Sequence, residues 1–312
     1  MPAVAITDFS NLMGAFHFVR DILNHNKNAE SKNKQAIENG EIPTENTIKP
    51  IVGCEFYVCD DHKNKSVKDN GYQIVLLAKS KKGYLNLAKL SSIAHTEGFY
   101  YVARIDRKLI QQYKEDLIVL SGNLNGEVPN KILNLGENQA EDALKWWKNE
   151  FADDFYIELM RHNQEDENRV NESLLALANR NNVKVIATNN TFYINKDNAN
   201  AHDILLCVRD NEKQSTPIGR GRGYRFGLPN QEYYFKSGDE MKKIFNDIPE
   251  AITNIQEIVD KIEVYNLARE VLLPKFEIPT EFEVEEDKSD GGVRGENSYL
   301  KHLTYIGAQK RY

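Results

Sequence analysis

The chain has 312 residues, 40 Lys and Arg against 47 Asp and Glu, a formal net charge of −7, and three cysteines. No apolar run approaches the roughly 18 residues that a membrane-spanning helix needs, so a membrane protein is excluded, and three cysteines are too few for a disulfide framework. The start lacks a signal-peptide layout, which makes a reducing cytoplasm the expected setting, and the acidic balance argues against wrapping nucleic acid by bulk charge.

In chain order, short apolar runs alternate with stretches of helical period. Residues 3–7 predict a buried strand, and 11–23 carry apolar residues at helical spacing. Residues 24–47 are rich in Asn, Lys and Glu and read as a mobile surface insertion with a short helix at most. Strands follow over 50–58 and 74–78, then a helix over 81–94. A strand over 117–121 ends in Gly122; a helix over 140–151 leads to a strand over 155–159. Residues 169–181 predict a helix and 183–188 a strand. The strands are continuous apolar runs, the pattern of parallel strands buried on both faces, and the alternation predicts an α/β sheet or barrel. Residues 281–296 read as an acidic, flexible connector, and 297–311 as a helix beyond it.

Polar residues gather where strands end: Asp8, Glu55, Asn123, Asn189 and Asn190. In a barrel of this type the functional site lies at that face. Asp8, Glu55 and His95 could converge on a metal; equally, such carboxylates cap the next helix or pair with a base. The histidines form neither HxH nor HExxH, so no local metal motif exists. Ser121-Gly122 follows a strand without a nucleophile elbow. The run from Gly219 through Arg220, Arg222 and Arg225 could hold phosphate or a DNA backbone, or be a solvated loop. Trp146-Trp147 and Phe99-Tyr100-Tyr101 could stack on bases, though helix–sheet packing is the commoner use.

Several strand-end motifs run in a familiar order: Thr7-Asp8-Phe9-Ser10, Pro50-Ile51-Val52-Gly53-Cys54-Glu55, Leu120-Ser121-Gly122, Ala187-Thr188-Asn189-Asn190, Ala201-His202-Asp203, Ile248-Pro249-Glu250-Ala251 and Leu273-Pro274-Lys275-Phe276. The series resembles the PHP (polymerase and histidinol phosphatase) domain at the start of the alpha subunit of C-family bacterial replicative DNA polymerases. The resemblance implies a TIM-like (β/α)7 barrel, here without its first strand and the H-x-H motif carried there. It divides the chain into a PHP domain over 1–265, with the insertion at 24–47, and a connector with a first palm-directed helix over 266–312. Metal-binding members read T-D-H-G where Phe9 replaces the His. Glu55 matches a ligand Glu and His95 a ligand His. Asn123 stands where Cys or His is usual, and Asn190 and Phe192 replace the Asp and His of A-T-N-D-x-H. Two ligands are kept among these six positions.

The resemblance therefore implies a degenerate metal site with Asp8, Glu55 and His95 as its vestiges, no stoichiometric cofactor, and a non-catalytic scaffold that docks a partner. The remainder of the polymerase subunit and a proofreading exonuclease are the implied partners, with DNA reached through the full subunit, whose nucleotidyl transfer uses Mg. The alternative is a phosphoesterase or 3′–5′ exonuclease using Zn or Mn. A further expectation is an exposed sheet edge that invites self-association.

Overall fold

The computed structural model describes residues 1–219, 221–269, 277–282 and 295–312. They form two units, Met1–Leu267 and Ala268–Tyr312. Leu273 to Phe276, Arg220 and most of the acidic connector lie outside the described residues.

The first unit is built on a seven-stranded mixed sheet. Its strands are β1 (Ala3–Phe9), β2 (Lys49–Cys59), β3 (Tyr72–Ala78), β4 (Arg104–Asp106), β5 (Leu117–Leu120), β6 (Phe155–Leu159) and β7 (Lys184–Ala187). Their order is β1-β2-β3-β5-β6-β7, with β4 added beside the end of β2. The helices are α1 (Ala15–Glu38), α2 (Lys81–Thr96), α3 (Arg107–Tyr113), α4 (Glu127–Asn134), α5 (Glu137–Phe151), α6 (Glu165–Asn181), α7 (Ala199–Asp210), α8 (Gly238–Ile244) and α9 (Pro249–Lys261). This mixed α/β sheet with flanking helices has the make-up of a TIM-like barrel fragment.

One expectation is corrected by strand direction. β3 runs antiparallel to both β2 and β5, whereas every other pair is parallel. The cause is the connection: residues 60–71 contain no helix, so the chain returns directly alongside β2 instead of crossing over. Gly71 closes that return at φ +73°, where a Cβ would sit 2.3 Å from the Val58 carbonyl oxygen. Burial on both faces makes a strand apolar whatever its direction.

The strand residues divide by parity. One face, carrying Phe56, Ile74, Leu76, Val119, Ile157 and Val185, packs on helices through Leu87, Leu90, Leu144, Trp147, Leu174 and Leu177. The other face, carrying Ile51, Val75, Leu77, Ile118, Leu120, Tyr156 and Ile186, is closed by Ile258, Val259 and Ile262 at the end of α9. Trp147 is fully buried and donates from Nε1 to Glu127 Oε2 at 2.9 Å, so it serves packing. Phe99 and Tyr101 instead remain more than half exposed.

The segment expected to be a mobile insertion is largely helix. α1 continues to Glu38, and two asparagines seven residues apart bind the returning chain. Asn26 bonds both the carbonyl and the N–H of Ile48 at 2.8 Å; Asn33 does the same with Glu45 at 2.8 and 3.1 Å. Polar composition here records a helix with one narrow buried contact, Ala29, rather than a loop. In the second unit, α10 spans Glu296–Arg311, and the Phe282 ring lies 5.1 Å from Tyr299 and 4.9 Å from His302.

Candidate functional site at the strand ends

β1, β2, β5, β6 and β7 run in one direction, so their C-terminal ends share a rim with the start of β3. Glu55 is paired with Val75, and Glu158 with Ile186, both neighbours on the face closed by α9. Parity therefore turns both glutamates to the same interior, where each is about 95% buried. Burial, reinforced by the Glu158 charge, pushes the Glu55 carboxyl up to about 8. Burial pushes Glu158 up to about 7, against the lowering effects of the Thr188 hydroxyl and then the Gly122 N–H. At neutral pH the pair thus holds at least one proton.

The residues after β5 hold Glu158 in place. The Gly122 N–H donates to Glu158 Oε2 at 2.8 Å, and the Glu158 N–H donates to Ser121 Oγ at 3.0 Å. Gly122 has φ +79°, and a Cβ there would lie 2.5 Å from the Gln73 carbonyl oxygen. The Ser121 hydroxyl is buried as a backbone acceptor, which leaves no role as a nucleophile. Asn123 Nδ2 approaches Glu55 Oε1 at 3.4 Å.

The other sequence-derived positions fall as follows. Phe9 pairs in register with Glu55, and its ring lies 6.4 Å from Tyr57. Asp8 pairs with Cys54 and lies against Gly14, where a Cβ would come 3.1 Å from Asp8 Oδ2. Burial, with the charges of Asp8 and Glu55, holds the Cys54 thiol protonated by raising its pKa. His95 occupies the exposed last turn of α2, with Nδ1 2.9 Å from the Ser91 carbonyl. The Asn190 N–H donates to His162 Nε2 at 3.2 Å, and Phe192 packs 5.5 Å from His202 and 6.0 Å from Tyr233.

Glu158 and His162 were not singled out by the sequence. Glu158 sits inside an apolar run, and the signal that could have found it is a carboxylate in the middle of a strand buried on both faces. His162 is 1% exposed, stacks on Tyr233 at 4.4 Å, and bonds Glu167 through Nδ1 at 2.7 Å. With Asn190 donating to Nε2, the proton belongs on Nδ1 and both ring nitrogens are committed.

The arginines divide. Arg225 is buried, and its five N–H groups are all used: two on Asp203 at 2.6 and 2.9 Å, and three on the carbonyls of Thr216, Phe226 and Gln214. It braces the loop and has no N–H left for phosphate. Arg222 is exposed.

The donor set at the rim is a poor one for a dication: Phe9 and Phe192 have no lone pair, and the amides of Asn123 and Asn190 are weak donors beside a cation. Among the described residues, the group of three or more His, Cys, Asp or Glu with ligand atoms within 4.8 Å of one another is Asp61, His62 and Asp106. It includes none of Asp8, Glu55 and His95. Nor does any described helix have the length and apolarity to cross a membrane.

The family described as PHP domain matches residues 1–162. Relatives named DNA polymerase III subunit alpha are 35% identical in Borreliella burgdorferi, 36% in Chlamydia trachomatis and 32% in Thermus aquaticus. The matches cover 100%, 81% and 100% of this chain, but 24%, 21% and 23% of the relatives. The chain thus spans about a quarter of the length of the curated relatives it matches.

Proposed function

The chain belongs to the PHP domain family, and we propose that it is the PHP region of a DNA polymerase III alpha subunit that has lost metal chemistry and works as a scaffold. The observation that carries this reading is the Glu55–Glu158 pair. Burial raises both carboxyls, so the pair can share a proton in this interior in place of a cation. Phe9 and Phe192 support the same reading, because each places an aromatic ring where catalytic members of the family keep a metal-binding imidazole.

On this reading the domain supports the remainder of the subunit, where Mg-dependent nucleotidyl transfer takes place, and offers a docking face for a proofreading exonuclease. DNA is contacted through the whole subunit in the cytoplasm. The alternative is a Zn- or Mn-dependent phosphoesterase or 3′–5′ exonuclease, in which a cation would activate water and hold phosphate.

The test pairs elemental analysis of the purified chain with cleavage of 3′-labelled single-stranded DNA in Mn²⁺ and in Zn²⁺. The expected result is no cleavage, and the same null result for Glu55→Gln. Cleavage that disappears in Glu55→Gln would replace the scaffold with the nuclease.

A further inference from the structure

We propose that His62, Asp61 and Glu97, oriented by Asp106, form a binding site for a borderline-soft divalent cation of the zinc class. None of these residues belongs to the strand-end rim, and the proposal does not depend on the scaffold reading.

Asp61 and His62 open the loop that joins β2 to β3. Asp106 ends β4, and Glu97 follows α2. Asp106 is buried at the start of α3. Its Oδ1 caps α3 by accepting from the Leu109 N–H at 2.9 Å, and its Oδ2 lies 2.6 Å from His62 Nδ1. That contact places a proton on Nδ1 and leaves the lone pair on Nε2. His62 is 94% buried, yet its Nε2 has no hydrogen-bond partner. The nearest carboxylate is Glu97 Oε2 at 4.0 Å, too far for a hydrogen bond but close to the spacing of two ligands on one cation. Ligand atoms of Asp61, His62 and Asp106 lie within 4.8 Å of one another.

A carboxylate that fixes one ring nitrogen while the other is left unpaired beside a second carboxylate is a usual setting of a metal-bound histidine. One imidazole among carboxylates suits zinc-class ions better than Mg²⁺ or Ca²⁺, which prefer all-oxygen sets. Asp61 is exposed and the Glu97 side chain is 47% exposed, so a cation has a way in.

The frame around the site is rigid. Arg104, fully buried, donates to the carbonyls of His62 at 3.2 Å, Asn64 at 2.9 Å, Asp69 at 2.7 Å and Gly98 at 3.1 Å. One guanidinium therefore ties the His62 loop to the residue after Glu97. The present neighbour of Glu97 is Lys63 Nζ at 2.9 Å, on a side chain 66% exposed. A bound cation would take its place and release it to solvent. The competing account is a doubly protonated His62 held between Asp106 and Glu97, which would bind no metal.

The test uses the untagged 312-residue chain, freed of metal by chelator and titrated with Co²⁺ as the spectroscopic probe. The expected outcome is one saturable Co²⁺ site with visible d–d absorption, displaced by Zn²⁺ and not by a hundredfold excess of Mg²⁺. His62→Gln should weaken binding at least about a hundredfold, and Asp106→Asn by about ten- to a hundredfold, while Asn still caps α3. Glu55→Gln should bind as the parent does. Circular dichroism checks folding; should His62→Gln fail to fold, the exposed variants Asp61→Asn and Glu97→Gln decide. Absence of a saturable site, parental affinity in His62→Gln, parental affinity in both exposed variants, or loss in Glu55→Gln would each overturn the proposal.

Discussion

Replacing Glu158 by Gln tests the reasoning about the strand-end interior. The ordinary carboxyl value is 4.5, and the folded protein raises Glu158 to about 7 and Glu55 to about 8. A carboxyl raised on folding keeps its proton in the native state after the unfolded chain has lost it. Its stabilising contribution is complete below pH 4.5 and is lost as pH rises through the folded value. Each such group lowers the unfolding free energy by about 1.4 kcal/mol per pH unit across its window. The amide introduced by Glu158→Gln would resemble the protonated acid in shape, and its carbonyl oxygen could still accept from the Gly122 N–H. Parent and variant should therefore be nearly equal at pH 4. The variant should gain about 1.4 kcal/mol per unit from pH 5 to 7 and then level off about 3 kcal/mol above the parent. Urea unfolding at unit intervals from pH 4 to 8 reads this directly. The difference between the two proteins cancels the titration of shared groups that do not feel Glu158; Glu55 does feel it, and adds to the variant's gain near its own value of about 8. A pH-independent difference would mean that Glu158 ionises normally in the folded state. The interior would then be hydrated or hold a counter-cation, and the argument against a metal at the rim would fail.

Two other carboxylates give distinct signs. Glu127 is buried against Arg107 at 2.6 Å, Lys131 at 2.7 Å and the Trp147 indole at 2.9 Å. Burial would raise it, but Lys131 and Arg107 outweigh burial and hold it below the ordinary range. Glu127→Gln leaves two cations beside a neutral amide and should cost about 3 kcal/mol in urea unfolding, with altered Trp147 emission; a loss under about 1 kcal/mol would refute this account. Glu257 is pulled down to about 2 by Lys184 and then by the Tyr156 hydroxyl. Its contribution is present above pH 4.5 and is lost as pH falls toward 2. The side chain is 30% exposed, so the expected loss is about 1 kcal/mol. Acid unfolding of Glu257→Gln should lack that component; an unchanged acid limb would show that the Lys184 pair contributes nothing.

The sequence by itself determined six of the seven strands, several of the helices and the family. Unbroken apolar runs require strands buried on both faces, and the alternation with amphipathic segments requires helices to cover them. Ordered motifs such as Thr7-Asp8-Phe9-Ser10 pointed to the PHP domain, and the residue types alone showed that Phe9 and Phe192 cannot ligate metal. The antiparallel β3 was hidden because apolarity records burial and carries no direction. The length of α1 was hidden because its two asparagines are satisfied only when the returning chain lies alongside. Arg225 resembles a phosphate ligand until Asp203 and three carbonyls, 9 to 22 residues away apart from the adjacent Phe226, consume every donor. Glu158 and His62 were the deepest omissions. Glu158 becomes unusual only when register and parity bring it to the same interior as Glu55, 103 positions away in the chain. His62 becomes a candidate ligand only when Asp106, 44 residues on, claims one nitrogen and burial isolates the other. Residue type fixes which chemistry a side chain can perform, but its protonation and its partners are set by the dielectric and the neighbours that folding supplies.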